Sequence, residues 1–282
     1  MPTARSSSIQ QAKKTLADRL RELRTDAGLD GKTLAQRCGW HPSKVSRIST
    51  ARTAPSEEDI RAWCRACERE DLTADLIASL LAVEGMWVEW HRVERGGLRR
   101  PQEAVLPLFE RTSRFRSYSS WLVPGLLQTH EYTADVLRAV QRRRVPVDDV
   151  ADAVAVRIER QRVLYEGHRR FAFLLEEAVL RNSLGDVDTQ VAQLEHLTQV
   201  AALPNVSMGV VPTRLGRPRM PVESFWVFDS TQVNVELVTG HLTITQPSEV
   251  STYANTFATF ADMAAYGAKA RALISRARDS FT

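Results

Sequence analysis

Apolar residues recur at helical spacing near the start of the chain. Leu16, Leu20, Leu23 and Ala27 mark one face of a helix that Gly28 ends. Asp30 can cap a second, short helix through Leu34, Ala35 and Cys38, and Gly39 breaks it. Pro42 suits the first turn of a third helix, where its missing N–H would be unpaired in any case. That helix runs from about Ser43 to Thr50 and turns Val45 and Ile48 inward. Pro55 and Ser56 open a fourth, with Glu57, Glu58 and Asp59 at its positive end and Ile60, Trp63, Cys64 and Cys67 on its apolar face.

From Leu72 to about Arg95 the pattern predicts one long helix, with Leu76, Leu80, Val83, Trp87 and Trp90 spaced 4-3-4-3. Such a seam can pack inside the chain or against a second copy. Gly96-Gly97 stops it, and Pro101 begins another helix to about Arg114. Farther on, residues 129–143, 148–164 and 187–202 read as helices, and 171–177 and 205–213 as strands. Residues 224–230 and 232–240 read as a hairpin that 241–245 may extend, and 249–280 as a helix broken near Gly267. Phe225, Trp226 and Phe228 suit a sheet core better than the wall of a pocket. The expected organisation is a tail (1–10), an all-α domain (11–70), a connector helix (71–100) and an α+β domain (101–282).

Charge sharpens this picture. The net charge is +4. Residues 1–55 alone hold eleven Lys and Arg against four acids, so the rest of the chain is slightly acidic. The basic end is the candidate nucleic-acid face. Three cysteines make no disulfide framework and fit a reducing cytoplasm. No apolar run predicts a membrane span or a signal peptide.

The segment TLAQRCGWHPSKVSRIST has the design of a helix-turn-helix: a short helix ending at Gly39, and a second starting three residues later. An α-helix fits the DNA major groove, where polar side chains on its outer face meet base edges. His41, Ser43, Lys44, Ser46 and Arg47 lie there, with Arg47 the candidate guanine reader and Lys44 a reader or phosphate contact. Lys32, Arg37 and Arg52 are candidate phosphate contacts, which position without reading sequence. The predicted partner is double-stranded DNA, bound by a homodimer, since one helix reads only a few base pairs.

At GWHPSKVSRIS and PSEEDIRAWCRAC the chain resembles the Xre-type regulators of actinomycetes, in particular the WhiJ-like group. The resemblance continues through WLVPGLLQTHEYTADVL, LLEEAVLRNSLG, QLEHLTQVAALPNVSMGVVP and VELVTG. It implies an Xre/Cro-like DNA-binding domain and an antitoxin-like or repressor role. It also implies a C-terminal domain that takes a small acidic partner protein encoded nearby. Trp121, Leu122, Leu126 and Leu127 are the candidate partner contacts; the segment suits an exposed groove or a buried turn equally. Neighbouring arginines (Arg111, Arg114, Arg116, Arg138 and Arg142 to Arg144) could attract an acidic partner. The chain departs from the family at Ser49 and Ala51, where relatives carry Glu and Gly, and at His41-Pro42, where they carry Ser-Gln. Ala51 adopts a left-handed cap less readily than Gly.

Other chemistry has weaker support. Cys38, His41, Cys64 and Cys67 mimic a zinc set, but the helical pattern turns the cysteines inward as small apolar residues, so no metal or cofactor is expected. No phosphate loop, dinucleotide fingerprint or nucleophile elbow is present, so no enzyme is expected. The alternative is a transcription factor with a ligand pocket in its C-terminal domain.

Overall fold

A computed structural model of the protein describes residues 7–85, 87–214 and 216–281. The chain forms two compact units, one ending at Trp87 and the other beginning at Val88.

The first unit is all-helical. It comprises α1 (Ser7–Asp26), α2 (Gly31–Cys38), α3 (Pro42–Ser49), α4 (Glu57–Ala66) and α5 (Thr73–Gly85). Helix α1 begins inside the stretch read as tail. Most of the spaced apolar residues meet as expected: Leu16, Leu20, Leu23, Leu34, Val45, Ile48, Ile60 and Trp63 form one core with Leu76 and Leu80, while Ala27 lies past the end of α1 and is exposed. The Trp63 indole N–H donates to the Leu20 carbonyl at 2.9 Å, so the one polar atom of the largest core side chain is satisfied.

The predicted long helix through residue 95 does not form. Helix α5 stops at Gly85, and β1 (Trp87–Glu89) and α6 (Trp90–Val93) follow. The seam divides accordingly. Leu76 and Leu80 pack in the first core, while Trp90 donates its indole N–H to the Leu237 carbonyl at 2.8 Å within the second unit. The side chains of Val83 and Trp87 lie outside those described. Periodicity alone could not reveal that tertiary partners claim Trp90.

The second unit is α+β. The helix predicted from Pro101 is two, α7 (Arg99–Ala104) and α8 (Leu106–Arg111), with Pro107 in the first turn of α8, where no N–H is needed. Then come β2 (Arg114–Ser119), α9 (His130–Arg144), α10 (Val150–Arg160), β3 (Arg170–Glu176), α11 (Val187–Val200) and β4 (Val206–Val211). The hairpin β5 (Phe225–Phe228) and β6 (Gln232–Glu236) is extended by β7 (Gly240–Ile244). The chain closes with α12 (Pro247–Met263), β8 (Ala265–Tyr266) and α13 (Gly267–Asp279).

The strands form one sheet in the order β1-β7-β6-β5-β2-β3-β4-β8. Strands β2, β3 and β4 are parallel, joined by helical crossovers, and β5 runs antiparallel to β2. One face stacks rings: Phe115 on Phe171 at 4.7 Å, Phe173 edge-on to Trp226 at 6.0 Å, and Phe109 from α8 against Trp226 at 5.9 Å. Leu194, Leu197, Leu273 and Ile274 join that core. On the other face Phe260 of α12 stacks on Tyr118 at 4.2 Å.

Candidate nucleic-acid interface

Local signals set each helix of the first unit. The Asp30 carboxylate accepts the Thr33 N–H at 2.7 Å, capping α2, and this bond holds its carboxyl below the usual range. Gly39 closes α2 in the left-handed conformation at φ 67°, with the Trp40 N–H on the Ala35 carbonyl at 2.8 Å.

Helix α3 is capped by His41. Its Nδ1 accepts the Ser43 N–H at 3.3 Å and lies 2.9 Å from Ser43 Oγ.

The other end of α3 holds strain. Ala51 is left-handed at φ 54°, and the Ala51 and Arg52 N–H groups donate to the Ile48 and Arg47 carbonyls at 3.0 and 2.9 Å. This is the bonding of a glycine-terminated helix with alanine in the glycine place. Left-handed backbone costs about 1–2 kcal/mol for a residue with a Cβ. Ala51→Gly is therefore expected to stabilise the first unit by about 0.5–1 kcal/mol after the extra chain entropy of glycine. Thermal unfolding checks it; a lower midpoint would contradict the strain.

The candidate contacts fall into two groups. Lys32, Ser46, Arg47 and Arg52 are exposed, and no side-chain hydrogen bond or ion pair engages them among the described residues. Lys44 and Arg37 differ from expectation. The Lys44 ammonium lies 2.6 Å from Asp59 Oδ1 and 4.3 Å from the Trp40 ring centroid. Asp59 also accepts the Ser56 N–H at 3.1 Å in the capping box of α4, so Lys44 ties the third helix to the fourth. Arg37 donates to the Ala66 carbonyl at 2.8 Å, at the end of α4. Sequence spacing placed both on an outer face, but not the acceptors waiting there.

Cys64 and Cys67 are buried and Cys38 half-buried. Burial pushes their thiols up, Cys67 to about 11. Among the described residues no cluster of His, Cys, Asp or Glu could hold a metal ion.

The candidate partner contacts are corrected. Leu126 and Leu127 are 1% and 0% exposed, in a 3-10 turn inside the sheet core, and Leu122 packs against that core. The segment is a buried turn; Trp121, at 53% exposure, is its one outward apolar side chain among the four. Arg114 and Arg116 stand toward the opposite end of β2, bonded to Ser230 and the Asp229 carbonyl. The side chain of Arg144 lies outside those described.

The α2–turn–α3 pair, with its exposed polar face and helical support, defines a helix-turn-helix DNA-binding regulator. A Helix-turn-helix domain model matches residues 15–76. A second model, described as Domain of unknown function (DUF5753), matches residues 104–276, more than half of the chain, and the chain belongs to that family. No curated protein matches. Among solved structures, the phospholipase D family member Nuc from Salmonella typhimurium is 7% identical, with a TM-score of 0.32 over 59% of this chain and 90% of that one. TrmBL2, an archaeal chromatin protein, is 12% identical, with a TM-score of 0.34 over 80% of this chain and 72% of that one. Likenesses at this level carry no argument about function. Among the described residues no helix is long and apolar enough to cross a membrane.

Proposed function

We propose that the chain is a sequence-specific regulator of repressor type. It binds duplex DNA as a homodimer through α3 and is controlled, without catalysis, through its C-terminal domain by a small acidic partner protein. The observation that carries the DNA reading is the uncommitted, exposed Ser46–Arg47 face of a helix capped at both ends, with Lys32 and Arg52 also free. Partner control draws on the WhiJ-like resemblance and on exposed Trp121. The reading places the protein on chromosomal DNA in the cytoplasm.

The test is selection of duplexes from a random pool by the full-length chain. The expected product is an inverted repeat with half-sites about one helical turn apart, bound by a dimer in light scattering. Adding the small acidic protein encoded beside the gene should release that duplex, because the partner prefers the DNA-free arrangement. No enrichment over random DNA would end the DNA reading; unchanged retention on adding the acidic protein would end the partner reading alone.

A further inference from the structure

The C-terminal unit holds two neighbouring cations, Arg160 buried and Arg157 half-buried, that lack a carboxylate partner at contact distance among the described residues. Arg157 and Arg160 stand about one turn apart on α10. Arg160 is 9% exposed, and its guanidinium lies 4.7 Å from the Phe109 ring centroid. Its Nε makes no hydrogen bond, and none of its N–H groups finds an acceptor among the described residues. Among the described residues Arg157 reaches only neutral amides, Gln102 at 3.0 Å and Gln128 at 3.3 Å.

Burial pushes the Arg160 guanidinium down to about 9, Arg157 adds to the shift, and exposed Glu236 of β6 opposes it. Burial lowers Arg157 as well. A guanidinium does not give up its proton near neutral pH, so what this pair lacks is a counter-anion. Arg217 in the same unit shows the ordinary solution, a carboxylate at 2.7 Å.

Gly125 lies beside the Arg160 guanidinium and the Arg157 stem: a Cβ there would stand 3.4 Å from Arg160 Nη2 and 3.8 Å from Arg157 Cδ. The carbonyls of Gly125 and Gln128 accept from the Gln161 amide at 2.9 and 2.7 Å, and no hydrogen bond from Arg160 reaches this turn among the described residues. Phe109 connects Arg160 to Trp226, which is half-buried on that face of the sheet. Beside Trp226 in register is Ser117, fully buried, whose hydroxyl has no partner among the described residues.

We propose that Arg157 and Arg160 form a binding site for a small oxyanion, the carboxylate or phosphate group of a small molecule, seated against Gly125. Two guanidinium forks match such a group, and the desolvated setting strengthens charge-assisted hydrogen bonds to it. The site stands apart from the DNA and partner readings and does not depend on them.

The test is thermal unfolding of the full-length chain in inorganic phosphate, and separately in citrate, against chloride at matched ionic strength. Wild type should gain roughly 3 °C at about ten times the dissociation constant. Arg160→Met should melt in chloride at or above wild type, having lost a buried unpaired charge, and should gain nothing from either anion. If that variant does not fold, Arg160→Lys and Gly125→Val carry the same readout, with most of the gain lost. Response to citrate alone would mark a carboxylate site, and to phosphate alone a phosphate site. A wild type indifferent to both anions, or variants that respond as wild type does, would overturn the proposal.

Discussion

Arg47→Ala is expected to weaken binding to the selected duplex by roughly 1–3 kcal/mol, about 5- to 150-fold, while binding to random DNA changes little. The side chain is exposed and has no hydrogen bond or ion pair among the described residues, so its fork is free to meet both acceptors of a guanine. Lys32→Ala should lower affinity for all sequences alike and reduce the salt slope by about one. Lys44→Ala should act differently again. Its partner is Asp59 at the start of α4, so the expected loss is in stability of the first unit rather than in selectivity. Fluorescence anisotropy on specific and random duplexes, with salt titrations, separates the three. An unchanged ratio of specific to random affinity in Arg47→Ala would remove Arg47 as the reader.

The largest expected stability change lies in the C-terminal unit. Glu176 is 3% exposed and accepts from Nη1 and Nη2 of Arg217 at 2.7 Å and from the Tyr118 hydroxyl at 2.8 Å. Removing one member of a buried pair leaves the other charge uncompensated, so Glu176→Ala should cost about 3–5 kcal/mol. Arg217 belongs to the segment between β4 and β5, which Glu177 also holds by accepting the Thr213 N–H at 2.9 Å. Loosening that segment should speed tryptic cleavage after Arg219, which Met220 follows. The double replacement Glu176→Leu with Arg217→Leu should recover most of the loss, since well-packed apolar groups can substitute for a buried pair. Denaturant unfolding reads all three; a loss under about 1 kcal/mol in Glu176→Ala would show that the pair is not essential to the fold.

The two units differ in how far the sequence alone describes them. Asp30, Gly39, Pro42 and Ser56 act within three or four residues of themselves. The helices of the DNA-binding unit and their apolar faces could therefore be read directly, and so could the awkward position of Ala51. Strands β3 to β7 were legible for a similar reason, because each is a short apolar or alternating run between breakers. What sequence could not assign is which polar side chains stay free. Lys44 meets Asp59 fifteen residues on, Arg37 meets the Ala66 carbonyl twenty-nine residues on, and Arg217 meets a carboxylate forty-one residues back. Leu126 and Leu127 suit a docking groove as well as a buried turn until α10 and α11 pack against them. The unpaired state of Arg160 is likewise a fact of packing, since an arginine on a helix face ordinarily reaches solvent or an acid. Sequence by itself determined the helix-turn-helix and the α+β class, because those rest on short-range periodicity and capping. Tertiary structure alone decided which cations hold the protein together and which remain available to bind, because that depends on contacts between residues far apart in the chain.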